Sequence, residues 1–171
     1  MTHRARGFTL IEVVVVITIL VVLYTVFLER AWVYQEQAEK TAMVEVVEAI
    51  QSALVLKYGH MMVRGAESEA GVLATENPMT WLAKQPRNYA GEFYDPTPLS
   101  ISPGNWMFDL KAHQLIYMPS RTDNFVAGPD GQKWIRYRVN LVYDPPASAQ
   151  PGKMLVGTLF EPVAPYRWLG N

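Results

Sequence analysis

The chain has 171 residues, a formal net charge of −1, no cysteine, and 50% hydrophobic against 18% charged residues. The near-neutral balance does not suggest a generally nucleic-acid-binding protein, and the absence of cysteine excludes disulfides. The length allows one modest domain plus an anchor.

The first element is an apolar run, Phe8–Leu28, of 21 residues with Glu12 as its only charge. As a helix it extends about 32 Å at roughly 1.5 Å per residue, which matches a hydrocarbon core of about 30 Å. A carboxylate costs about 2.5–3.5 kcal/mol at the centre of such a span and less near its end, and it asks for a partner. His3, Arg4 and Arg6 precede the run, whereas Glu29 and Arg30 follow it and cancel. The positive-inside rule then places the N-terminus in the cytoplasm and everything beyond Arg30 outside. A secretory signal peptide does not fit, because Tyr24-Thr25-Val26-Phe27-Leu28 is too bulky for a small-x-small cleavage site. A plain uncleaved anchor accounts for everything except Gly7 and Glu12.

The stretch Gly7-Phe8-Thr9-Leu10-Ile11-Glu12 resembles the N-terminus of type IV pilins and type II secretion pseudopilins. Those chains carry a short basic leader ending in Gly, then Phe, with Glu as the fifth mature residue. The resemblance implies a leader over 1–7, cleavage after Gly7 by a prepilin peptidase, and N-methylation of Phe8. It implies a bacterial inner-membrane protein with a cytoplasmic N-terminus and a periplasmic domain, later part of a filament. The partners implied are sister pilins, a polytopic platform protein and, through it, an assembly ATPase. The residues suit this chemistry. Cleavage creates an ammonium on Phe8, and the Glu12 carboxylate of one subunit can pair with the Phe8 ammonium of a neighbour. An unpaired charge in an apolar filament core is strongly disfavoured. Major pilins of the family usually carry a Gly and a Pro near the positions of Val21 and Glu29. This chain has neither, which points to a pseudopilin or minor pilin.

The helix is predicted to continue past the span at 8–30 into the outer domain at 31–171. No Gly or Pro occurs between Phe8 and Tyr58, and Gly59 is the first breaker, so one helix over Phe8–Tyr58 is expected. Met43, Val46, Val47, Ile50, Ala53 and Leu54 recur at three- and four-residue spacing as a core stripe, with Glu36, Glu39, Glu45, Glu48 and Gln51 mostly off it. The region 59–171 is read as loops and sheet. Residues 64–71 read as a polar loop that has room for a short helical turn. Asn77-Pro78 starts a short helix, Pro78–Lys84, with Asn77 as N-cap. Asn88–Pro103 is turn-rich.

Trp106–Leu110 and Gln114–Met118 form a hairpin around Lys111-Ala112-His113. Gly128-Pro129-Asp130-Gly131 is a turn. Lys133–Tyr143 is a strand with Ile135, Tyr137, Val139, Leu141 and Tyr143 on the inward face, set to pack on the helical stripe. Asp144–Gly152 is a proline-rich loop, and Lys153–Phe160 is the last strand. The fold class is α+β and pilin-like: a long N-terminal helix, first transmembrane and then amphipathic, on a small antiparallel sheet.

Candidate chemistry outside the N-terminus is sparse. His3, His60 and His113 share no metal-ligand or nucleophile–base spacing, so no enzyme is expected. Asp123, Asn124 and Asp130 share a connecting loop. It reads first as a solvated turn, and calcium is the one cofactor considered there, because the resemblance implies calcium loops in major pseudopilins. Lys133, Trp134, Arg136 and Arg138 form a basic strand face with an aromatic residue. It reads as a solvated face or a subunit contact, with DNA as the lesser alternative. Two other functions stay open: a non-polymerising single-pass protein with an outer binding domain, and a competence-type pilin.

Overall fold

The computed structural model describes residues 9–129, 131–144 and 154–169. Gly7, Phe8, Asp130 and all but the first residue of the loop expected over Asp144–Gly152 lie outside the described residues. The chain divides into two compact units, Met1–Ala38 and Glu39–Asn171. A single helix, α1, spans Leu10–Val63 and supplies residues to both.

In the second unit the helix buries Met43, Ile50, Leu54, Tyr58 and Met61, with Val46 and Val47 packed partly against the same core. The three- and four-residue spacing thus continues beyond Gly59, where the sequence predicted a break. A glycine in a helix interior costs about 1 kcal/mol relative to alanine. Burial of Tyr58 and Met61 on either side outweighs that. The helix ends instead at Gly65, whose φ of 69° is left-handed. The Gly65 amide donates to the Met62 carbonyl at 3.0 Å and the Ala66 amide to the Met61 carbonyl at 2.9 Å, the paired bonds of a Schellman stop.

A 3₁₀ helix, Glu67–Ala74, occupies most of what was expected as loop and buries Ala70 and Leu73. Asn77 caps the next element as expected, its side chain accepting from the Met79 amide at 3.0 Å. That element is a 3₁₀ turn, Pro78–Trp81, shorter than the helix predicted to Lys84, because Leu82 is already extended.

Among the described residues seven strands follow: β1 Tyr89–Phe93, β2 Asn105–Asp109, β3 Gln114–Met118, β4 Phe125–Val126, β5 Ile135–Asp144, β6 Met154–Pro162 and β7 Arg167–Trp168. The main sheet has the order β1-β2-β3-β5-β6, and β4 pairs with β7 in a small second sheet. The predicted hairpin is β2–β3, with Trp106 opposite Tyr117 and Phe108 opposite Leu115. Its loop is set by Asp109, whose carboxylate accepts from the amides of Lys111 at 2.8 Å and Ala112 at 3.2 Å. β1 was not expected. It pairs in parallel with β2, so the sheet is mostly, not wholly, antiparallel.

The inward face of the sheet carries Trp106, Phe108, Leu115, Tyr117, Ile135, Tyr137, Val139 and Phe160. Leu141 packs partly against this core, while Tyr143 lies beyond a register shift in β5 and stays exposed. Glu36, expected off the stripe, is buried, and Glu39 and Gln51, also expected off it, join helix to sheet. One Glu39 oxygen accepts from the Tyr117 hydroxyl at 2.7 Å and the Ser120 amide at 2.6 Å. The Gln51 amide donates to the Thr158 carbonyl at 3.2 Å and accepts from the Phe160 amide at 2.6 Å. Tyr58 donates to the Leu155 carbonyl at 2.9 Å. Gln51 and Tyr58 thus occupy backbone groups along β6, an edge strand that otherwise invites pairing with another chain.

Lys57 on α1 pairs with Glu76, which also accepts from the Trp81 indole at 2.9 Å. Burial alone pushes the Glu76 carboxyl up, but the bonds from Lys57 and Trp81 and the Lys57 charge outweigh it and hold the group below its ordinary value. A lowered folded-state value gives stability that is complete above the unfolded value of about 4.3 and lost as pH falls through the folded one. Both side chains are partly solvated, so the contribution is screened. The urea midpoint of the full chain is expected to fall between about pH 6 and about pH 3. Glu76→Gln is expected to remove part of that fall, and an unchanged acid sensitivity in the variant would contradict the assignment.

Candidate functional site

The first unit is built by the N-terminal stretch of α1. Every large apolar residue from Leu10 to Phe27 is 44–83% exposed, on all sides of the helix rather than along one stripe. Among the described residues this is the one helix long and apolar enough to cross a membrane. Its hydroxyls are handled locally. Thr18 donates to the Val14 carbonyl and Thr25 to the Val22 carbonyl, each at 2.8 Å. Such back-bonding is what a polar side chain needs where no water is available.

Glu12 lies in the first turn of this helix. Thr9 immediately precedes the helix. Its hydroxyl accepts from the Glu12 amide at 3.3 Å, and its carbonyl accepts from the Val13 amide at 3.2 Å. Thr9 is therefore the N-cap and Glu12 the third helical residue, the spacing of a capping box. A carboxylate here also faces the positive end of the helix dipole, worth about 0.3–1 kcal/mol. The sequence carried this signal as Thr-x-x-Glu, but the pilin-like motif drew attention to Glu12 alone. The residue thus has a local helix-starting role besides any role toward a neighbour.

The other candidate residues lie in the second unit. Trp134, Arg136, Arg138 and Asn140 alternate with the buried Ile135, Tyr137 and Val139 along β5 and share its outward face. The Arg136 guanidinium sits 5.8 Å from the centre of the Trp134 ring, a cation–π distance. Lys133 donates to the Thr122 hydroxyl at 3.2 Å, away from that pair. Arg138 stands opposite Glu161 in the β5–β6 register, and Asn140 bonds the Glu161 carboxylate. Glu161 makes this face mixed in charge, which suits a protein contact better than a phosphate backbone.

In the loop considered for calcium, the Asp123 carboxylate pairs with Arg121 at 3.7 Å, and the Asn124 carbonyl accepts from the Leu169 amide at 3.1 Å. The Arg121 pair competes with a cation for the Asp123 carboxylate, and the Leu169 bond engages the Asn124 backbone carbonyl. No group of three His, Cys, Asp or Glu side chains with metal-binding geometry occurs among the described residues.

Comparison with known proteins places the N-terminus and the body together. Residues 2–25 match the family model of the prokaryotic N-terminal methylation motif. Over 131 residues the chain is 31% identical to the type II secretion system core protein G of Pectobacterium carotovorum subsp. carotovorum, covering 75% of this chain and 79% of that protein. No solved structure matches the chain at the same level of significance.

Proposed function

The chain belongs to the pilin-like family of type II secretion system core protein G, and we propose that it is a pseudopilin, a structural subunit of a helical filament. In this reading the chain waits in the inner membrane with its N-terminus in the cytoplasm. A prepilin peptidase cuts after Gly7, Phe8 is methylated, and the subunit is drawn into the filament. A platform protein and, through it, an assembly ATPase drive that step.

The observation that carries the reading is an apolar helical stretch, Leu10–Phe27, exposed on every side, with its one carboxylate, Glu12, in the first turn and most of its length within the methylation motif matched over residues 2–25. An open helix of subunits needs a heterologous contact that does not close on itself. An apolar helix with no preferred face can offer different sides to different neighbours. Glu12 of one subunit and the Phe8 ammonium of the next then compensate each other inside that contact. Nothing in this scheme calls for catalysis by the chain.

The natural lack of cysteine gives a clean test. A chain carrying both Val16→Cys and Phe27→Cys is oxidised in cells that contain the assembly machinery. An open contact is expected to give a ladder of dimers, trimers and higher species. A product that stops at dimers, or a monomer with every such pair, would contradict open assembly.

A further inference from the structure

The helix does not become featureless where the apolar run ends. Residues 32–35, a full turn, are exposed on all sides. Trp32 is 44% and Tyr34 64% exposed, and Arg30 is exposed two residues earlier. Amphipathic rings next to a cation are the chemistry of the layer between hydrocarbon and water. We propose that Arg30, Trp32 and Tyr34 form an interfacial anchor that seats the outer end of the helix in the phosphate and carbonyl layer of a phospholipid bilayer. The proposal rests on the reading of Leu10–Leu28 as a membrane span.

Spacing selects this position over its rivals. Glu12 and Trp32 are twenty residues apart, about 30 Å along a helix. A hydrocarbon core is also about 30 Å thick. With Trp32 at the outer boundary, Glu12 therefore reaches the inner one, where its carboxylate meets water and headgroups, while Glu29 and Arg30 fall within one turn of the outer boundary, where a charge costs much less than at the centre. Tyr24 is the other candidate for the boundary residue. Seating Tyr24 there would leave Glu12 only about 18 Å away, well inside the hydrocarbon. A carboxylate at that depth approaches the 2.5–3.5 kcal/mol cost of a central charge. Between the two ends, Thr18 and Thr25 are already satisfied by backbone carbonyls, so no threonine hydroxyl calls for water within the layer.

The anchor gives the membrane-bound subunit a defined depth. Outward movement lifts Trp32 and Tyr34 from their layer and draws Glu12 toward the apolar centre, which disfavours leaving unless Glu12 gains a partner.

The test uses the full chain in phosphatidylcholine–phosphatidylglycerol vesicles at high lipid-to-protein ratio. Lipids brominated near the carbonyls are compared with lipids brominated near the chain ends. The difference between the native chain and Trp32→Phe isolates Trp32 fluorescence from the four other tryptophans. Quenching by the shallow bromines is expected to exceed that by the deep ones by about twofold or more. Vesicle-bound chain with an unquenched Trp32, or with equal or deeper quenching, overturns the anchor alone. Chain that does not float with the vesicles overturns the anchor and the span together.

Discussion

Glu12→Gln is expected to abolish incorporation into filaments while leaving the subunit in the membrane and processed. Glutamine keeps the capping-box geometry with Thr9 but removes the charge. The Phe8 ammonium of the neighbouring subunit would then be buried without a counter-charge. Breaking a buried pair from one side costs about 3–5 kcal/mol, which lowers the equilibrium for incorporation by more than about a hundredfold. Glu12→Ala is expected to behave the same way, with a further loss of about 0.3–1.5 kcal/mol from the helix start. The two variants separate the roles that Glu12 combines. If Glu12→Gln enters filaments like the native chain and Glu12→Ala does not, the side-chain oxygen acts only as a cap and the pairing argument fails. Recovery of sheared filaments, with membrane-retained subunit measured alongside, reads both outcomes.

Trp106→Ala is expected to have the largest effect on the second unit. The Trp106 side chain is almost fully buried on the inward face of β2. Its ring lies 4.7 Å from that of Tyr117 and 6.3 Å from that of Tyr137. Tyr117 in turn donates to Glu39 of α1, and burial together with that carboxylate pushes the Tyr117 hydroxyl far above its ordinary pKa. Trp106 thus supports both the hairpin core and the seat of the helix on the sheet. Truncation of such a residue costs about 3–5 kcal/mol, a large share of a total stability of about 5–15 kcal/mol. Urea unfolding of the full chain in detergent, followed by near-ultraviolet dichroism, should show the midpoint collapse. Val156→Ala, at an exposed site on β6, is expected to stay within about 0.5 kcal/mol. A loss below about 1 kcal/mol at Trp106 would mean that the core repacks around the gap.

Elements with strong periodicity were legible in the chain. The helix, the β2–β3 hairpin and β5 each announce themselves by spacing, and their buried residues largely follow. What was not legible depended on distant contacts. Gly59 looked like a stop, but burial of Tyr58 and Met61 carries the helix to a left-handed Gly65. β1 lay hidden in a turn-rich stretch, since Gly91 adopts a φ of 107° within it and the register slips between Tyr89 and Glu92. β4 and β7 have two residues each and exist only because they meet. Glu39 and Gln51 look like solvent-facing residues in a helical wheel, yet their targets are backbone groups more than 80 positions away in the case of Ser120 and Phe160. At the N-terminus the motif around Glu12 was legible, and so was Thr9, since the capping spacing is local. The depth markers Trp32 and Tyr34 were written in the sequence too, but only the exposed turn around them gave them meaning.

The filament reading requires that the mature chain begin at a free Phe8, because the counter-charge for Glu12 does not exist before the leader is removed. Mass spectrometry of the N-terminal peptide from the membrane-extracted protein tests this most directly. A chain that starts at N-methylated Phe8, lacking residues 1–7, is the expected result. An intact Met1, or a new N-terminus near Leu28, would contradict it.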